Sequence, residues 1–78
     1  FHWHVKGSVM KIFAQRLKEL RIEKKTKQRE MAEYLGLGLR TYQYYESATH
    51  YPDIPGLMKL ADFFEVSTDY LLGRSDER

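Results

Sequence analysis

The sequence contains no cysteine and no long apolar run, and these two absences exclude several classes of protein. Without cysteine the chain can form neither a disulfide framework nor a thiolate metal site. No apolar stretch approaches the roughly 18–20 residues that a membrane-spanning helix needs. No apolar segment is followed by a signal-peptide cleavage site either. We therefore expect a protein without a membrane segment that works in the reducing cytoplasm.

The chain has 78 residues, enough for one small domain with one core. Hydrophobic residues make up 42% and charged residues 31%, a balance typical of a globular rather than a disordered chain. The carboxylates show neither the spacing of a metal site nor a nearby nucleophile. We therefore expect no enzymatic activity, no metal site and no cofactor.

Positive charge is concentrated in one segment, although the net charge of the whole chain is only +2. Residues 11–29 carry eight Lys or Arg against two Glu, a net charge of +6. Residues 30–78 carry four basic against nine acidic residues, a net charge of −5. Such a chain can present a basic face to phosphates. A lysine-rich helix that is merely solvated would look the same, so charge alone does not decide between the two readings.

Apolar residues recur at helical spacing, and the pattern predicts five helices and no strands. The first three are expected over about 11–24, 28–35 and 39–46. Asp53 is the predicted N-cap of a fourth helix, and Ser67 is the predicted N-cap of a short fifth. Met10 opens the clean helical pattern, so we expect residues 1–9 to be a leader or an artificial, disordered tail. The folded domain then covers residues 10–73, and residues 74–78 form a polar tail.

The segments 28–35 and 39–46 have the features of a helix-turn-helix. Gly36 directly follows the first of them and can adopt the positive φ that a tight turn requires. Ala32 is small enough to let the second helix cross closely. Leu37, Tyr42 and Tyr45 have the spacing of residues that point inward from the turn and the following helix.

These and further motifs together resemble the Cro/CI-type (XRE) family of phage and bacterial repressors. The resemblance covers roughly residues 12–73 and rests on these stretches: "LKELR", "Q-x-x-x-A-x-x-L-G", "T-Y-x-x-Y-E", "P-D-x-x-x-L-x-K-L-A" and "V-S-x-D-Y-L-L-G". It implies an all-α, compact five-helix, lambda-repressor-like DNA-binding domain. It also implies a sequence-specific transcriptional regulator of double-stranded DNA, expected to act as a repressor.

The resemblance assigns roles to individual residues. Helix 39–46 would lie in the major groove and contact base edges through Leu39, Arg40, Gln43 and Tyr44. Arg40 is the best candidate for a bidentate contact to guanine. Phosphate contacts would come from Lys25, Lys27, Gln28, Arg29, Thr41, Thr49, His50 and Tyr51, with Lys24 adding positive charge. Arg21 and Glu46 would form an internal salt bridge between the first and third helices.

Three departures from the family pattern bear on the structure. The family often has "G-L-T/S-Q" where this chain has Lys25, Thr26, Lys27 and Gln28, so we expect Thr26 to become the helix cap. Gly38 stands where serine or threonine is preferred. Tyr42 stands where isoleucine or valine is usual, and its hydroxyl must find a partner.

One recognition helix covers only a few base pairs. We therefore expect a homodimer on a pseudo-palindromic operator with half-sites about 34 Å apart. The last helix and the apolar residues around Ile54 and Leu57 are candidates for the dimer surface. The alternative is a protein-interaction module, an antitoxin or adaptor whose partner is a toxin or an antirepressor. The low polarity of helix 39–46 supports that alternative.

Overall fold

The computed structural model describes the backbone of residues 6–78 and the side chains from Lys11 onward. Within that range it contains helices and no strand, which confirms the predicted all-α fold with a helix-turn-helix. None of the helices in this part of the chain has both the length and the apolar character needed to cross a bilayer. The five helices are α1 (Lys6–Glu23), α2 (Gln28–Leu35), α3 (Leu39–Glu46), α4 (Ile54–Phe64) and α5 (Thr68–Leu71).

Helix α1 begins at Lys6, five residues before the expected start at Lys11. Residues 6–9 of the predicted tail are therefore helical, whereas residues 1–5 lie outside the described residues. The physical reason is that an established helix extends at the cost of ordering one residue per added hydrogen bond. The segment contains no proline to stop that extension.

The helix ends follow the chemistry of their capping residues. Gly36 ends α2 in the left-handed conformation with φ 72°, as the turn requires. Asp53 accepts a hydrogen bond from the Gly56 N–H at 2.8 Å and so caps α4. Ser67 caps α5 by accepting from the Tyr70 N–H at 2.9 Å.

The expected cap at Thr26 is wrong. The Thr26 hydroxyl donates to the carbonyl oxygen of Lys24 at 3.4 Å, and the N-cap position of α2 is Lys27. The carboxylate of Glu30 accepts a hydrogen bond from the Lys27 N–H at 2.8 Å. A side chain inside the first turn therefore supplies the cap that the sequence between α1 and α2 lacks.

A single apolar core joins α1 to all four other helices. Tyr42 is completely buried in this core, and Leu35 and Leu37 are partly buried residues that pack against the core. Tyr42 and Tyr45, both predicted to face inward, contact each other edge to face with ring centroids 6.1 Å apart. The buried core residues are Phe13, Leu17, Leu20, Met31, Ala32, Tyr42, Tyr45, Leu60, Ala61, Phe64 and Leu71.

The polar residues 74–78 fold back along α1. The carbonyl oxygen of Arg78 accepts from the Ser67 N–H at 2.8 Å, and its guanidinium forms two hydrogen bonds with Glu23 at 2.8 and 2.9 Å. Arg16 of α1 donates to the carbonyl oxygens of Tyr70 and Ser75. The charged C-terminal segment therefore holds α5 against α1.

Candidate nucleic-acid interface

Helices α2 and α3 are joined by a tight turn with its backbone groups paired. The Leu37 N–H donates to the Ala32 carbonyl oxygen at 2.8 Å, and the Gly36 N–H donates to that of Glu33 at 3.1 Å. Ala32 is buried at 2% exposure, so no larger side chain would fit there without displacing core neighbours. This turn fixes the orientation of α3 relative to α2.

Helix α3 divides into a buried and a solvent-facing side by helical phase. Tyr42 and Tyr45 are buried. Arg40 and Gln43 are exposed on the opposite side, with Leu39 and Tyr44 half-buried at its edges. We call these four predicted base-contacting residues the outward face of α3. Arg40 forms no ion pair with any described residue, so its guanidinium is free to bind a partner.

Cationic side chains surround the N-terminus of α2. Lys25, Lys27 and Arg29 are all exposed, and none of them forms an ion pair within residues 11–78. The free N–H groups of a helix N-terminus add partial positive charge to the same place. Thr41 is exposed on the first turn of α3. The arrangement suits a chain of phosphates beside α3.

A largely buried ion pair joins α1 to the end of α3. The Arg21 Nε donates to Glu46 Oε2 at 2.6 Å, and its Nη2 donates to Oε1 at 3.1 Å. The two side chains are 14% and 4% exposed. Arg21 also donates to the Thr26 carbonyl oxygen at 3.0 Å, so the same guanidinium anchors the loop before α2. The Arg21 guanidinium is therefore bonded within the fold at Nε, Nη1 and Nη2.

Glu46 accepts more hydrogen bonds than the ion pair supplies. The Tyr42 hydroxyl donates to Oε2 at 2.5 Å and Gln28 Nε2 donates to Oε1 at 3.1 Å. Burial alone would raise the pKa of Glu46, but the bonds from Arg21, Tyr42 and Gln28 outweigh burial and lower it. The carboxylate is therefore ionised at neutral pH.

Gln28 links this buried group to the outward face of α3. Its amide oxygen accepts a hydrogen bond from Gln43 Nε2 at 3.2 Å, while its amide nitrogen donates to Glu46. One side chain at the start of α2 therefore contacts α3 at two places. The contact constrains the phase of α3 about its own axis.

The loop after α3 is held by its own polar groups. The N–H groups of Thr49 and His50 both donate to the Tyr44 carbonyl oxygen, at 3.0 and 3.2 Å. The His50 ring packs on the Tyr44 ring with centroids 4.8 Å apart. His50 Nδ1 lies 2.7 Å from the Thr49 carbonyl oxygen, and since a carbonyl only accepts, Nδ1 carries the proton. Only Nε2 of the His50 ring is left to contact a phosphate.

The side chains of Tyr51 and Lys24, both predicted to approach phosphates, contact other parts of the fold instead. The Tyr51 ring packs edge to face on Phe13 at 5.6 Å, and its hydroxyl is buried without a hydrogen-bond partner. Burial raises the pKa of that hydroxyl. Only the main chain of Tyr51 is left for a phosphate. Lys24 donates to the Phe63 carbonyl oxygen at 2.9 Å and lies over the Phe63 ring, so it is bound to α4.

The comparison with protein families agrees with this geometry. A family model described as helix-turn-helix matches residues 17–71, which include α2, the turn and α3. The chain belongs to the Cro/CI-type helix-turn-helix family. Residues 17–71 are the part of the chain that matches the helix-turn-helix of this family.

Relatives of this chain extend beyond the matched region. HTH-type transcriptional regulator ImmR of Bacillus subtilis (strain 168) is 43% identical over 61 residues, which are 78% of this chain and 48% of ImmR. The cryptic phage CTXphi transcriptional repressor RstR of Vibrio cholerae is 34% identical over 65 residues, 83% of this chain and 59% of RstR. A transcriptional regulator from Listeria innocua of known structure superimposes with a TM-score of 0.77 at 39% identity, covering 85% of this chain and 62% of that one. The chain thus spans about half to three fifths of the length of these relatives.

The family pattern alone did not reveal that Tyr42 and Gln28 also donate hydrogen bonds to Glu46. The signal for one of them was present: Tyr42 occupies a position where the Cro/CI-type family usually has isoleucine or valine, and its hydroxyl needed a partner. Glu46 lies four residues further along α3, within reach of that hydroxyl. No local signal linked Gln28 to Gln43, because the two are brought together only by the crossing of α2 and α3.

Proposed function

We propose that this chain is the DNA-binding part of a transcriptional repressor that binds a pseudo-palindromic operator as a homodimer. The observation that carries the proposal is the outward face of α3, which stands beside the exposed cations at the start of α2. A recognition surface needs both parts, since phosphate contacts position the protein and base contacts select the sequence.

The base contacts in this proposal come from Leu39, Arg40, Gln43 and Tyr44. Arg40 would read guanine through its two-pronged guanidinium, and Leu39 would contact a thymine methyl group. Tyr44, packed on His50, would contact sugars or a base edge. The phosphate contacts come from Lys25, Lys27, Gln28, Arg29, Thr41, Thr49 and His50, with Tyr51 contributing only its main chain.

The homodimer is proposed on the apolar surface of α4 and the residues that follow α5. Ile54 and Met58 of α4 are 73% and 55% exposed, and Leu57 of the same helix lines a shallow apolar recess with Tyr51, Pro52 and Leu72. Exposed apolar side chains grouped in this way are typical of an interaction surface. A protein with this activity works in the cytoplasm, where bacterial and phage DNA lies.

Selection of bound sequences from random duplex DNA tests the proposal. We expect one enriched pseudo-palindrome with half-sites separated by about one helical turn, roughly 34 Å. Binding should weaken steeply with salt, because each neutralised phosphate releases counterions. A protein-interaction module predicts no enriched sequence and a shallow salt dependence, and that result would contradict the proposal.

A further inference from the structure

The His50 ring is held beside Tyr44 by two contacts of its own. Its face packs on the Tyr44 ring with centroids 4.8 Å apart and the ring planes inclined by 48°. That separation lies within the roughly 4.5–7 Å over which aromatic rings attract each other. Its Nδ1 edge donates to the Thr49 carbonyl oxygen, 2.7 Å away. The ring is therefore bound at one edge and one face, although His50 is exposed to solvent.

The main chain brings residue 50 back over the last turn of α3. Ala48 has a positive φ of 62°, which reverses the chain after the helix. The N–H groups of Thr49 and His50 both donate to the Tyr44 carbonyl oxygen, at 3.0 and 3.2 Å, and Ser47 Oγ donates to the same oxygen at 3.2 Å. The position of residue 50 is thus set by the main chain, so a substitution there changes only the side chain that meets Tyr44.

This loop restricts a side chain on the outward face of α3. Tyr44 lies four residues after Arg40, so the two share one side of the helix, one turn apart. A tyrosine on an open helix surface has several staggered rotamers, whereas a base contact needs one of them. The loop holds the carbonyl group and one face of the ring of Tyr44 without using its hydroxyl. The cost of ordering the ring is thereby met on folding rather than on binding.

We propose that His50 is a positioning residue that makes Tyr44 a base-reading residue, because its ring fixes the rotamer from which the Tyr44 hydroxyl reaches a base edge. This inference rests on the proposed function and gives the His50 side chain a role other than phosphate contact. The feature that matters at position 50 is then the aromatic ring. A phosphate contact would instead need a hydrogen-bond donor or a positive charge, with or without a ring.

Two substitutions of His50 separate these roles. His50→Phe keeps a ring but has no nitrogen to donate, whereas His50→Lys keeps a donor and adds charge but has no ring. The test base pair is the operator position whose preference disappears in Tyr44→Ala. The wild-type protein should prefer the selected base pair there about tenfold over its replacement. His50→Phe should retain most of that ratio, and His50→Lys should bring it towards one.

Lys27→Met is the matched control, since Lys27 is a proposed phosphate contact at the start of α2 and lies outside the stacked pair. It should weaken binding of both duplexes by the same factor and leave their ratio unchanged. The stack is also measurable without DNA. In the free protein, nuclear Overhauser contacts between the rings of residues 44 and 50 should be present in wild type and in His50→Phe.

Several results would overturn the inference while the proposed function stands. If both His50 variants keep the wild-type ratio and His50→Phe only weakens binding of both duplexes, the side chain is a phosphate contact alone. If His50→Phe loses the ratio as fully as His50→Lys, the aromatic ring does not position Tyr44. A selected operator in which Tyr44→Ala alters no base preference would show that Tyr44 is not a base-reading residue.

Failure of the proposed function has a different signature. The Overhauser contacts between residues 44 and 50 would then be observed, but no duplex sequence would be preferred by the wild-type protein. The stack would exist without an operator to read, and the specificity role of His50 would fall with the proposed function.

Discussion

Tyr42 donates its hydroxyl hydrogen to Glu46, one turn further along α3. The ring of Tyr42 is fully buried, so this hydroxyl has no access to water. Burial first, and then the bond to Glu46, raise the pKa of Tyr42 well above its ordinary value. A tyrosine at this position therefore adds a polar anchor to an otherwise apolar core, and several consequences are measurable.

Replacing Tyr42 with phenylalanine should destabilise the fold while preserving the shape of the core. The substitution removes one hydrogen bond to a charged and largely buried carboxylate, a loss of about 1.5–3 kcal/mol in the free energy of unfolding. Urea denaturation measures it. Tyr45→Phe is the control, because Tyr45 lies in the same core but its hydroxyl makes no bond to another described side chain. Equal losses in the two variants would contradict the anchoring role of Tyr42.

The stability of the protein should fall in acid because of Glu46. Its pKa in the folded state lies below the ordinary value of 4.5, so its pairing contributes fully at pH values above 4.5. That contribution is lost as the pH falls through the folded-state pKa, when the unfolded chain binds the proton more readily. Thermal denaturation at pH values that descend stepwise from neutral should show this decline begin as the pH passes below 4.5.

Two variants separate the contribution of Glu46 from that of a surface pair. Glu46→Gln should be less stable than wild type at neutral pH and should show a flatter decline in acid. Hydrogen bonds from Arg78 also lower the pKa of Glu23, which is exposed. Glu23→Gln should change the acid profile only slightly, because exposed ion pairs contribute little. If the stability of Glu46→Gln fell with pH in parallel with that of wild type, the buried Arg21–Glu46 pair would not be the source of the acid sensitivity.

Lys25 should be a site where stability and DNA affinity respond in opposite directions. It lies in the turn that follows α1 with φ 57°, a conformation that costs a side chain about 1–2 kcal/mol and glycine little. Lys25→Gly should therefore raise the free energy of unfolding by about 0.5–1 kcal/mol. It should also lower DNA affinity and reduce the salt slope by about one, if Lys25 contacts a phosphate.

Lys25→Ala completes this comparison by removing the charge without relieving the backbone. It should reproduce the weaker DNA binding of Lys25→Gly without the gain in stability. Denaturation curves and duplex titrations on the same preparations provide both quantities. A stabilised Lys25→Ala would show that charge repulsion, rather than the backbone conformation, is the cause.

Sequence reasoning succeeded where the local pattern determines the outcome. The bounds of α2 and α3, the glycine turn at Gly36 and the inward side of α3 all follow from helical periodicity and turn chemistry. It failed where distant parts of the chain compete. Lys24 looks like a free cation in sequence, but α4 brings the Phe63 carbonyl within 2.9 Å of it. Tyr51 looks like an exposed loop residue in the sequence, but the path of the loop packs its ring on Phe13.

Arg16 should matter more to stability than its surface ion pair suggests. It donates to the carbonyl oxygens of Tyr70 and Ser75 and also to Asp76. Arg16→Lys keeps the charge but loses the fork that reaches several acceptors, so it should cost about 1–3 kcal/mol of unfolding free energy. Amide hydrogen exchange across residues 67–78 should accelerate. Asp76→Ala removes only the 98% exposed partner and should cost less than about 1 kcal/mol.

Substitutions at Arg40 and Lys27 should distinguish base recognition from phosphate binding. Arg40→Ala should weaken binding to the selected operator by about 1–3 kcal/mol and binding to random duplex far less, because a bidentate contact to guanine exists only on the cognate sequence. Lys27→Ala should weaken both by the same factor and reduce the salt slope by about one. Duplex titrations at several salt concentrations measure both effects. If Arg40→Ala weakened operator and random duplex equally, Arg40 would be a phosphate contact and the reading of guanine would have to be reassigned.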